Sequence, residues 1–255
     1  MSRTIPSFPL PERNNVPLNE IFYYNHIYGD FKEYEIVYRR KISREAATIK
    51  NQYLGTEQII INSFQYVQPT VKNRSTTSVR FATIIREASN LFEILSRMIY
   101  NKLFNVQENS NLDIKNFLTL DVFLNLRQGV LSAPLLQDDF SSSDILQPFS
   151  SLDTWDRESL IRKEHVPRWW KAYNKLKHDL LGFEEYATFE NALLSLGAVY
   201  LMICRIYGDG VVGGKLERPM FGNSFSTSFA HQVVPVSQLF IEDTDYKTIS
   251  IFGER

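Results

Sequence analysis

A chain of 255 residues and 29.7 kDa is long enough for one large domain or two small ones, and it can bury a substantial core. Hydrophobic residues at 44% and charged residues at 22% exclude wholesale disorder, and 28 basic against 29 acidic side chains exclude nucleic-acid binding driven by whole-chain charge. The single cysteine, Cys204, excludes an internal disulfide framework and a zinc cluster of several thiolates, which fits a reducing cytoplasm.

Residues 1–17 carry Pro6, Pro9, Pro11 and Pro17 among polar residues, which predicts an extended arm with no signal-peptide core. Residues 18–74 predict a small β-containing section. Phe31 to Ile42 alternates apolar and charged side chains, and Gln58 to Val67 is rich in β-branched and aromatic residues. From Ser78 to Phe104 the apolar residues Phe81, Ile84, Ile85, Ala88, Leu91, Phe92, Leu95 and Ile99 keep the rhythm of a long amphipathic helix. Glu87 sits at the border of that stripe, where partial burial is expected.

A second helix is predicted over Leu112 to Leu126, then a loop-rich stretch to Trp155. A third runs from Pro167 to Leu181, with Pro167 opening it and Gly182 closing it. A fourth runs from Thr188 to Tyr207 and is apolar nearly all round, so it is expected at the centre of the bundle. Its apolar run, Leu193 to Ile206, is broken by Ser195, Gly197 and Arg205, which favours a core helix over a membrane span. The helical bundle is thus expected over residues 75–208. Residues 209–255, rich in Gly and Pro, read as a wrapping tail, irregular or with a β-hairpin.

Gly208 to Gly213 spells G-x-G-x-x-G, but a helix precedes it and a Gly/Pro-rich stretch follows, so a helix cap and loop is the reading. His26, His165, His178 and His231 are scattered without metal-ligand spacing, and no cofactor is called for.

The informative stretch is Arg157 to His178. Seven cations stand there against Glu158 and Glu164, with Trp169, Trp170 and Tyr173 interleaved. Two readings follow. Cations and rings could together hold single-stranded RNA, through Arg168, Lys171, Tyr173 and Lys175. Alternatively, the rings face the core and the cations form a solvated face. Asn174 and His178, four residues apart, project from one helical face. An imidazole can serve as general acid or base for attack by a ribose 2′-hydroxyl on the adjacent phosphate, with Asn174 orienting it and Lys177 stabilising developing charge. Such a pair can equally bond neighbouring helices.

Tyr173-Asn174-Lys175-Leu176-Lys177-His178-Asp179, followed by Ala187-Thr188-Phe189-Glu190-Asn191-Ala192-Leu193, resembles the C-terminal helix pair of HEPN domains. Arg86-Glu87-Ala88-Ser89-Asn90-Leu91-Phe92-Glu93 is similar to their first helix. The resemblance covers Ser78 to Tyr207 and implies a helical bundle of prokaryotic defence or toxin–antitoxin systems, a metal-independent RNase activity and a homodimer. It also implies a cognate antitoxin or nucleotidyltransferase as partner. His178 would be the general acid/base, Asn174 its polar neighbour and Lys177 the stabiliser. Glu87 would be the first-helix carboxylate that holds His178 or a nearby cation, with Glu93 in reserve. The family's motif arginine is replaced by Tyr173, and a phenol cannot clamp a phosphate bidentately. A non-catalytic relative that binds a protein partner or a nucleotide is the competing expectation.

Overall fold

The computed structural model describes residues 31–104, 106, 112–132, 146–179, 182, 184–207, 237 and 240–242. The N-terminal arm, the G-x-G-x-x-G segment and most of the C-terminal tail lie outside these residues.

Within them the fold is mostly helical. Helices α1 (Phe31–Ser63), α2 (Val79–Phe104), α3 (Ile114–Leu118), α4 (Asp121–Leu124), α5 (Arg168–His178) and α6 (Phe189–Tyr207) follow in chain order. Helix α2 packs on α1, α5 and α6, and α6 also meets α1 and α5. The strands predicted in Phe31 to Ile42 and in Gln58 to Val67 are corrected: a single helix runs to Ser63, and turns continue from there to Val67. Its buried positions Ile49, Tyr53, Thr56, Glu57, Ile60 and Ser63 recur at helical spacing, yet three of them are polar. Thr56 and Ser63 satisfy their hydroxyls on the helix itself, donating to the carbonyls of Gln52 (3.0 Å) and Ile60 (2.6 Å).

Gly55 lies exposed inside α1, and a Cβ there would meet nothing within 4 Å. Gly55→Ala is therefore expected to raise unfolding free energy by about 0.5–1 kcal/mol in urea titrations, by reducing the freedom of the unfolded chain.

The core is built on the predicted stripe of α2. Phe81, Ile84, Ile85, Phe92 and Leu95 are wholly buried, as are Leu193, Val199, Leu201 and Ile203 of α6. Ser78 caps α2, its hydroxyl accepting from the amide of Arg80 (3.2 Å), and Thr188 caps α6 by accepting from Asn191 (3.1 Å). The stretch Phe189–Ile206 is long and apolar enough to cross a membrane, but 83% of it is buried inside the bundle.

The helix predicted over Leu112 to Leu126 is corrected to two short ones. Asp113 caps α3 through the amides of Lys115 and Asn116, and Asn125 ends α4 in the left-handed region (φ 50°), which asparagine tolerates. Between them the hydroxyl of Thr119 bonds back to Asn116 (2.6 Å) and the chain re-aims.

The described part of the tail is tied down from two sides. Strand β2 (Ile241–Glu242) pairs antiparallel with β1 (Leu131–Ser132), Leu131 opposite Glu242. Phe240 is buried, its ring 5.8 Å from that of Tyr200. Ser237 donates to the buried Glu57 carboxylate, which also accepts from the Tyr53 hydroxyl (3.0 Å).

Burial, reinforced by the Glu57 charge, holds the Tyr53 phenol well above its ordinary value near 10. The folded state therefore keeps the proton longer than the unfolded state does. This contribution is complete below pH about 10 and is lost as pH rises from there through the higher folded value. Urea midpoints should fall above pH about 10, and less steeply in Tyr53→Phe.

Candidate functional site

Helix α5 positions the site. Pro167 stands immediately before it rather than within it, and its carbonyl accepts from the amides of Trp170 and Lys171 (both 3.1 Å). One face holds Trp169, Trp170, Ala172, Tyr173 and Leu176, all buried. The rings of Trp169 and Trp170 meet edge-to-face at 5.7 Å, Phe92 of α2 packs edge-on against Trp169 at 5.2 Å, and the Trp169 indole N–H donates to the Pro148 carbonyl (2.9 Å). Of the two readings of the interleaved segment, the rings follow the core one. Tyr173, only 6% exposed and 5.0 Å from the Trp170 ring, is corrected as an RNA-stacking platform: a base has no face of it to reach.

The other face is polar and exposed: Arg168, Lys171, Asn174, Lys175, Lys177 and His178, with no acidic residue in the helix. Asn174 and His178 stand about 40° apart around the axis, and Lys171 and Lys175 share their stripe. No side-chain hydrogen bond joins Asn174 or His178 to any described residue, so neither side chain bonds a neighbouring helix. Lys177 lies about 100° from His178. Its ammonium sits over the Tyr173 ring, 5.4 Å from the centroid. Tyr173 is about 140° from His178 and turned into the core.

Glu87 is exposed rather than partly buried, because Ile84, Ala88 and Leu91 define the buried face and leave it outside. Among the described residues, no ion pair or hydrogen bond joins it to His178 or to a cation. The reserve carboxylate Glu93 is engaged by Arg97 of its own helix (2.8 Å). Arg168 is ion-paired with Glu190 in the first turn of α6, and the same carboxylate oxygen lies 3.6 Å from Arg74. Neither Arg74 nor Glu190 stands out in the sequence as a site residue. An acid in a first helical turn is ordinary, and the two segments meet through the bridge between Thr77 and Thr188 and the Glu190 amide, which donates to the Arg74 carbonyl (3.0 Å).

The cations before α5 divide in the same way. Arg157 donates to Asn125 (3.2 Å), and Arg162 lies 3.9 Å from Glu164 with both side chains mostly exposed. His165 is buried and structural: its Nδ1 accepts from the Arg162 amide (3.0 Å) and its carbonyl from Ser151 (2.8 Å). Cys204 is buried and forms no disulfide among the described residues.

No protein-family model, curated protein or solved structure matches the chain.

Proposed function

We propose that the chain is an RNA-directed protein of HEPN type that holds the phosphodiester backbone of single-stranded RNA along the exposed face of α5 and cleaves it without a metal ion. The observation that carries this reading is the division of α5 into a buried aromatic face and an exposed face with four cations, no acid, and Asn174 and His178 a turn apart. A stripe of that kind favours a polyanion, and the imidazole on it is open to solvent.

In this reaction His178 takes the proton of a ribose 2′-hydroxyl as that oxygen attacks the adjacent phosphorus. The bond to the 5′-oxygen breaks, the leaving oxygen takes a proton from solvent, and the products end in a 2′,3′-cyclic phosphate and a 5′-hydroxyl. Asn174 positions a phosphate oxygen, and Lys171 and Lys175 stabilise the charge that develops. A second copy of the chain, an antitoxin or a nucleotidyltransferase would bind in the same cellular context, a defence or toxin–antitoxin system in the cytoplasm.

The experiment is cleavage of mixed-sequence single-stranded RNA in excess EDTA. Wild type should give cyclic phosphate ends and His178→Ala none, with unchanged far-ultraviolet circular dichroism. Equal cleavage by both proteins, or by neither, would refute the nuclease.

One observation favours a second reading, a scaffold without cleavage. Tyr173 belongs to the core, so the motif arginine has no counterpart on the His178 stripe. RNA binding without cleavage would select that reading.

A further inference from the structure

A cleft of about 390 Å³ opens beside the N-terminal end of α5, about 15 Å along the helix from His178. Three cations from separate places in the fold line it: Arg74 from the turn before α2, and Arg168 and Lys171 from successive turns of α5. Glu190 holds both arginines through a single oxygen, which draws two guanidinium groups to one point. Arg168 remains more than half exposed and Lys171 is exposed. The other acid of the lining, Glu164, lies within reach of Arg162, outside the cleft. Ser150 also lines the cleft.

Repulsion between two guanidinium groups is offset here by one carboxylate, and the site retains an excess of positive charge. A diester passing along α5 offers each cation one shared charge. A phosphate monoester offers a dianion with three acceptor oxygens on one atom, which suits forked donors converging on a concave site. The volume admits such a group with a sugar attached.

We propose that this cleft binds a phosphate monoester, and that the source is the 5′-phosphate end of the RNA strand lying on α5. The strand identity rests on the proposed function; the phosphate site does not.

The test is calorimetric titration of the full chain with a six-nucleotide RNA carrying a 5′-phosphate, with the same RNA carrying a 5′-hydroxyl, and with ribose 5-phosphate. The 5′-phosphorylated strand should bind about tenfold more tightly than its 5′-hydroxyl twin, the worth of charge-assisted hydrogen bonds to one added dianion. Arg168→Gln with Lys171→Gln should abolish that difference, and Arg86→Gln, an exposed cation of α2 outside the cleft, should preserve it. Ribose 5-phosphate binding without RNA binding would support the cleft and refute the RNA reading. Equal affinity for both strands, or a difference that survives the double variant, would overturn the phosphate site and leave the RNA reading standing. Absence of binding by every probe would overturn both.

Discussion

Trp169→Ala is expected to cost about 3–5 kcal/mol of stability, enough to unfold most of a marginal domain at ambient temperature. The side chain is wholly buried, packs against Phe92, Phe149 and Trp170, and satisfies its indole N–H on Pro148. Truncation leaves a cavity among rigid rings and an unpaired carbonyl. By contrast, Lys171→Gln on the same helix should change stability by less than about 0.5 kcal/mol, because its side chain is exposed. Urea denaturation of the two variants therefore separates the structural face of α5 from its exposed face. A mild Trp169→Ala effect would contradict the division on which the functional reading stands.

The second large effect is expected at Asp121. Its carboxylate is wholly buried and accepts from the Arg127 amide (2.8 Å) and from Arg127 Nε (2.6 Å). Arg127 in turn donates to the Trp155 carbonyl (2.9 Å) and lies over the Trp155 ring at 5.1 Å. Asp121→Ala leaves a largely buried guanidinium without its counter-charge, which costs about 3–5 kcal/mol. Arg157→Ala removes only the outer member of the group, 3.6 Å from Asp121 and nearly half exposed, so a loss below about 1 kcal/mol is expected. Comparable urea midpoints for these two variants would show that the network does not hold α4 to the segment before α5.

What could be read from the sequence follows from where periodicity survives. Helices α2 and α6 bury long apolar stripes, so their letters alone mark them. Helix α1 hides its period because Thr56, Glu57 and Ser63 occupy buried positions, while the run Ile59-Ile60-Ile61 imitates a strand. The break at Thr119 and the left-handed Asn125 are local events that an apolar count over Leu112 to Leu126 passes over.

The candidate site divides similarly. Asn174, Lys171, Lys175 and His178 share a stripe because their spacing is helical and their side chains are polar. Lys177 departs from it by a single residue step, and Glu87 misses the core because the buried stripe of α2 runs past it. Glu190 and Arg74 meet only through tertiary structure, which no local pattern encodes.

The central claim is that RNA lies on the exposed face of α5. Binding of a single-stranded RNA at several salt concentrations, by wild type and by Lys171→Gln with Lys175→Gln, tests it most directly. Each phosphate contact contributes about 0.7 to the slope of log affinity against log salt, so the double variant should be shallower by about 1.4. An unchanged slope, or no binding even at low salt, would contradict the account.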